Sequence, residues 1–246
     1  MPSSQETTPG RSPRARAAVN HLIGSVSLAN RFSVMRHGQS KANVAGVIVS
    51  RIETDRGGDY GLSEAGRRQV LAAARQCGLP PDTVICSSDF SRARQTAEIV
   101  RGCLGAREVM VDEALRERCF GDWEGSATTN YERVWAADAA GEGQSDDGVE
   151  STAAVLDRAT RLVADLEWRY SGLDILLVSH GDTLQILQAG FLSLDPSGHR
   201  RLPHLATGEI RRLRLGEQVR PSVSQRAWTR SAPISSKPAP PSGSDT

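Results

Sequence analysis

The stretch FSVMRHGQS, residues 32–40, runs apolar for four positions and then stops on an arginine, a histidine and a glycine. Phe32–Met35 reads as a strand buried in a sheet, and such a strand has no room for a cation along its length. Arg36 and His37 therefore mark its carboxyl end. A second run, DILLVSHG at residues 174–181, ends in the same manner on His180 and Gly181. Ligands of open α/β sheets bind beyond the carboxyl ends of the strands. If these two strands are neighbours, both histidines open onto one crevice.

Two more runs, Thr83–Cys86 and Val109–Val111, read as strands, with helical stripes between them. Val70, Leu71, Ala74 and Cys77 share one face of a helix that Ser63 caps. Ala93, Ala97, Val100 and Leu104 make a second stripe, and Val155, Leu156, Ala159, Leu162, Val163 and Leu166 a third. Strands alternating with helices of this length give an α/β class with a mainly parallel sheet covered on both faces. The third strand leads into SSDFSRARQTA at residues 87–97, which sets Arg92 in the first turn of a helix beside free backbone amides, a natural oxyanion site. Arg94 lies about 200° further round the axis and faces away. LRERCFGDWEG, residues 115–125, offers Glu117, Asp122 and Glu124 as acids among Phe120 and Trp123. Glu117 is the candidate general acid; Asp122 and Glu124 read as a charged surface turn.

The chain has 246 residues and a formal net charge of +1, which removes any global attraction for nucleic acid or a membrane surface. Lys41 and Lys237 are its two lysines, every other basic residue being arginine, the side chain whose fork suits phosphate and carboxylate oxygens. Cys77, Cys86, Cys103 and Cys119 form no C-x-x-C pair, which points to a reducing compartment, the cytoplasm. No apolar run approaches the roughly 20 residues that span a bilayer. Ser, Thr, Pro and Arg dominate the first 20 residues, a composition shared by disordered tails and organelle transit peptides. Both ends read as disordered, over residues 1–27 and 219–246, around a folded domain at 28–218.

Four ordered blocks then carry a resemblance: Arg36-His37-Gly38-Gln39-Ser40 with Asn43; Ser87-Ser88, Arg92-Ala93 and Gln95-Thr96-Ala97; Leu115, Glu117 and Phe120 through Gly125; and Ser179-His180-Gly181. Together they resemble the histidine phosphatase superfamily, the phosphoglycerate mutase-like proteins, over roughly residues 31–215. The resemblance implies a three-layer α/β/α sandwich and metal-independent hydrolysis of a small phosphorylated substrate through a phosphohistidine. His37 is then the nucleophile, while Arg36, Arg92 and a protonated or hydrogen-donating His180 hold the phosphoryl oxygens. Glu117 protonates the leaving alkoxide and later activates water. Gln39, Ser40, Asn43 and Gly181 are expected to line the substrate cradle, with Gly38 letting backbone and phosphate approach closely. The scattered acids show no Mg²⁺ or Zn²⁺ ligand pattern, and no cofactor is implied.

Within that family the sequence favours a phosphatase over the alternative, a mutase-type phosphotransferase. Mutases use a basic cluster after the glutamate block, and residues 126–147 hold one arginine, Arg133, among several acids. The glycine-rich end of this insertion suggests a mobile lid. Arg51 and Arg56 are candidates for a second anion contact or for a solvated loop. Cys86 and Arg92 also have the spacing of a cysteine-dependent phosphatase, but the loop between them has no glycine and carries Asp89. A non-catalytic binding module has no need of His37, His180 and Glu117 together.

Overall fold

The computed structural model describes residues 18–141 and 147–217. In chain order the regular elements are β1 (Arg31–Arg36), α1 (Lys41–Ala45), α2 (Ile52–Asp55), α3 (Glu64–Gln76), β2 (Val84–Ser87), α4 (Ser91–Leu104), β3 (Val109–Val111), α5 (Tyr131–Ala140), α6 (Thr152–Arg169), β4 (Asp174–Ser179), α7 (Gly181–Phe191) and β5 (Ile210–Arg212). The five strands form one sheet in the order β3-β2-β4-β1-β5. β1, β2, β3 and β4 are parallel where they pair, and β5 runs antiparallel to β1 at the edge.

Helices cover both faces, as the apolar runs require. Along β4, all six residues of which are buried, Ile175 and Leu177 point to one side, where they pack with Leu162, Val163 and Leu166 of α6 and Leu184 and Leu187 of α7. Leu176 and Val178 point to the other, against Val70 and Ala74 of α3 and Ala93, Ala97 and Val100 of α4. The period of two thus divides one strand between two cores. Ser63 caps α3 by accepting from the Gly66 amide at 3.0 Å. No helix among the described residues is long and apolar enough to cross a membrane.

Packing begins earlier than the expected boundary at residue 28. Leu22 is buried in the core, the Asn20 amide donates to the Gly190 carbonyl at 2.8 Å, and the His21 backbone amide donates to Thr160 Oγ1 at 3.1 Å. Three residues of a polar tail suffice because α6 and α7 supply the apolar surface. Residues 1–17 and 218–246, which include most of both expected tails, lie outside the described residues. So does the 142–146 part of the expected lid; the preceding stretch is the helix α5.

Candidate active site

The register of β1 on β4 sets the site. Arg36 pairs with Ser179, and the His37 amide donates to the Ser179 carbonyl at 3.0 Å, so His37 and His180 leave neighbouring strand ends side by side. Their ring centroids are 5.1 Å apart. Arg92, in the first turn of α4, lies between them and donates its Nε–H to His37 Nε2 and His180 Nδ1, both at 3.2 Å. Arg94, two residues on, is exposed.

Hydrogen-bond accounting fixes the protons. His37 Nδ1 is 2.8 Å from the Gly38 carbonyl, which only accepts, so Nδ1 carries the hydrogen and Nε2 the lone pair. His180 Nδ1 accepts from Arg92, so its hydrogen is on Nε2, 2.9 Å from Ser88 Oγ. Burial, and then the guanidinium of Arg92, hold both imidazoles far below the ordinary range. His180 is therefore a neutral donor to Ser88. A bound phosphate dianion would favour protonating the Nδ1 that faces His37.

Among the buried side-chain nitrogens and oxygens of the described residues, Arg36 Nε and Arg92 Nη1 lack a hydrogen-bond partner. Burial pushes both guanidinium groups down, and both lie in electrostatic reach of His37. Unpartnered buried N–H groups are costly and rare in folded proteins. An oxyanion beside His37 Nε2 would satisfy both. Arg36 is aimed by its other bonds, with Nη1 donating to His204 Nε2 at 2.6 Å and to the Leu205 carbonyl at 3.0 Å. Gly181, the first residue of α7, lies against this guanidinium, and a Cβ there would meet Arg36 Cζ at 3.4 Å, an ordinary packing distance.

Glu117 faces the site from the loop after β3. Its Oε1 accepts from the Arg118 amide at 3.0 Å and from the Thr183 amide at 3.2 Å, and lies 3.2 Å from Thr183 Oγ1, whose one hydrogen goes to a backbone carbonyl. Burial and the nearby charge of Asp182 raise its proton affinity against the opposing effect of Arg92, so the carboxyl is inclined to hold a proton. The loop is fixed from three elements. Ser179 Oγ donates to the Leu115 carbonyl at 2.7 Å, Thr183 Oγ1 to that of Arg116 at 2.8 Å, and Arg158 Nη1 to that of Ala114 at 2.7 Å. Arg158 is itself paired with Glu150 at 2.8 Å.

Several expected contacts are absent from this cluster. Gln39 Oε1 accepts from Ser63 Oγ at 2.8 Å, which ties it to the cap of α3. Ser40 and Asn43 form a capping box on α1, leaving the Asn43 Nδ2 group without a partner among the described residues. The amides near Gln39 are also committed, Gly38 to Thr96, Gln39 to Gln69 and Ser40 to Asn43. Gly38 is small for a different reason than phosphate approach: a Cβ would lie 2.6 Å from Val70 Cγ2 and 2.7 Å from the Gly66 carbonyl. The N-terminal amide of α4 is taken too, because Asp55 accepts from Ser91 N at 2.5 Å. Asp89 is turned onto Arg116 at 2.6 Å. Asp122 is exposed, while Glu124 binds the Ser50 amide at 2.8 Å and hydroxyl at 2.6 Å. Arg51 and Arg56 are exposed on the surface loop, Arg56 lying 3.7 Å from Glu53. Cys86 is buried in the apolar core, and burial, helped by Asp112, pushes its thiol up to about 12. That is an inert cysteine.

Sequence reasoning missed a second layer. Asp182, directly after Gly181, accepts from Trp135 Nε1 and His199 Nε2 at 2.9 Å and from Arg118 Nη1 at 3.2 Å. Arg118 also binds Asp138 at 2.6 Å, so α5 is fastened over the site by buried charge. Tyr131 at the start of α5 stacks on Trp135, 5.3 Å between centroids. Burial and the Glu117 charge keep its hydroxyl protonated.

Residues 32–226 match the family model described as histidine phosphatase superfamily (branch 1). A glucosyl-3-phosphoglycerate phosphatase of Mycolicibacterium vanbaalenii is 34% identical over 177 residues, 67% of this chain and 75% of the relative. A metal-independent phosphoserine phosphatase of Arabidopsis thaliana is 29% identical over 175 residues, 67% of this chain and 70% of the relative. Among solved structures, a mycobacterial glucosyl-3-phosphoglycerate phosphatase in complex with VO3 superposes with a TM-score of 0.62 at 30% identity, covering 74% of this chain and 91% of that one.

Proposed function

The chain belongs to the histidine phosphatase superfamily, branch 1, and from that premise we propose how its residues hydrolyse a phosphomonoester. The phosphoryl group enters between Arg36 and Arg92, whose free N–H groups take its equatorial oxygens. His37 Nε2 attacks phosphorus in line with the ester oxygen. As that P–O bond breaks, Glu117 gives its proton to the departing alkoxide. The resulting carboxylate takes a proton from water, the water oxygen bonds to phosphorus, and the N–P bond returns its electron pair to Nε2. With the phosphate bound, His180 takes up a proton at Nδ1 and donates it to the oxyanion from the side opposite Ser88. The observation that carries this reading is the lone pair of His37 Nε2 set beside two unpartnered guanidinium N–H groups.

The substrate is a small phosphorylated metabolite, in keeping with the relatives named for glucosyl-3-phosphoglycerate. Hydrolysis is favoured over phosphotransfer because Arg133, the arginine of the insertion, faces the Trp123 ring at 5.8 Å rather than joining a basic cluster. The proposed setting is the cytoplasm, where the four free cysteines stay reduced. Turnover of p-nitrophenyl phosphate with chelator present, at neutral and mildly acidic pH, tests the assignment. His37→Ala is expected to lose at least about a thousandfold, and Cys86→Ala to stay near wild type. Activity that survives His37→Ala and vanishes in Cys86→Ala would reverse it.

A further inference from the structure

The 3-10 turn Pro196–Arg201 brings a cation to the mouth of the site that no block of the sequence announced. The Arg200 guanidinium sits over the Trp135 ring, with Cζ 3.6 Å from the centroid, and its Nη1 donates to Gln185 Oε1 one turn along α7 from Gly181. Trp135 is itself held by Asp182. Arg200 is thus fixed against two elements that frame the catalytic residues. It lies in the field of Glu117 and Asp182, and its charge is felt at Arg36 and His204.

Among the described residues no carboxylate is within salt-bridge distance of Arg200, although it is half-buried. Glu132 and Asp182 act on it from further away. A desolvated guanidinium held in one orientation by an aromatic face, without an ion-pair partner, is built to receive an anion. The nearby carboxylates Asp182, Glu132 and Glu117 disfavour a second dianion, which leaves a monoanion as the matching charge.

We propose that Arg200, stacked on Trp135, is a second anion subsite that binds a carboxylate on the leaving group, so that the preferred substrates are phosphorylated carboxylic acids. This rests on the phosphatase reading and specifies its substrate class. Unlike Arg51 and Arg56, which are exposed, Arg200 is held against an aromatic face.

The test compares 3-phosphoglycerate with glycerol 3-phosphate, which lacks the carboxylate, in wild type, Arg200→Gln and Arg200→Lys. The wild-type kcat/KM ratio of acid to alcohol is expected to fall by about tenfold or more in Arg200→Gln, mainly through KM, with Arg200→Lys in between. Equal loss on both substrates, or a wild type that does not distinguish them, would overturn the subsite. Dissociation constants of the same two compounds by calorimetry, in a His37→Ala background with and without Arg200→Gln, give the readout that does not need turnover. If wild type turns over p-nitrophenyl phosphate but neither ester, the hydrolase reading stands, and if it turns over none of the three, that reading fails. The calorimetry still decides Arg200: selective weakening of the acid supports it, and equal affinities overturn it.

Discussion

Two titrations meet in opposite directions at this site. His37 and His180 have proton affinities depressed by burial and by Arg92, so below the ordinary imidazole value of about 6.5 the unfolded chain binds protons that the folded chain refuses. Stability therefore falls as pH falls through that range. Glu117, whose affinity is raised, acts the other way between about 4.5 and its folded value. Replacing His180 by Ala is expected to flatten the loss of stability from neutral to mildly acidic pH, as read by urea denaturation; an unchanged slope would refute the assignment. Activity gives the complementary test. The Asp182 charge raises the proton affinity of Glu117, against Arg92, so Asp182→Asn is expected to move the basic limb of kcat/KM to lower pH. A merely structural loss would lower the whole profile without moving that limb. Asp182 itself is held down at about 2 by His199 and Arg118 despite its burial. His199 makes bonds to the Pro196 carbonyl and the Asp182 carboxylate, both at 2.9 Å. His37, Arg36, Arg92, His180 and Glu117 were legible in the sequence because strand ends and one helix start place them. Asp182, His199, His204 and Arg200 were not, since their partners come from distant segments and no local pattern marks them.

The same division holds among the elements. β1, β2, β4 and the stripes of α3, α4 and α6 announced themselves because each buries an apolar face; β3 was legible from its three apolar residues, although it is an edge strand with none of them buried and Val111 exposed. β4 is the extreme case, and truncating Leu177, fully buried between α6 and α7, is expected to cost about 2–5 kcal/mol by chemical denaturation. β5 escaped notice because two of its three residues are arginines. Arg211 is nevertheless buried, with its guanidinium on Gln188 at 2.8 Å and on the Pro203 and His204 carbonyls at 2.7 and 2.9 Å. That bonding fixes the loop from which His204 aims Arg36. α5 was hidden for a related reason. Val134 is its one buried residue, and its attachment is polar, through Trp135 to Asp182 and Asp138 to Arg118. Removing Arg118 by Arg118→Ala is expected to cost about 3–5 kcal/mol, because it leaves Asp138 and Asp182 short of a buried countercharge. A variant with near wild-type stability would mean that α5 is held by something else.

Over the whole molecule the charges nearly cancel, at +1, yet Arg36, Arg92 and Arg200 converge on one mouth. Such a field attracts anions locally without making the surface sticky for polyanions. Phosphate or vanadate bound there stabilises the folded state by linkage. At about 100 times its dissociation constant the gain is about 2.7 kcal/mol, or roughly 5–11 °C in Tm for a chain of this size. Arg92→Ala is expected to lose most of that shift. The central claim is that His37 Nε2 takes the phosphoryl group, and acid-free rapid quench of wild type with a ³²P-labelled phosphate ester addresses it directly. The account predicts a label that is lost in acid, survives alkali and maps to His37. An actively turning-over enzyme with no such label, or with its label on Cys86, would contradict it.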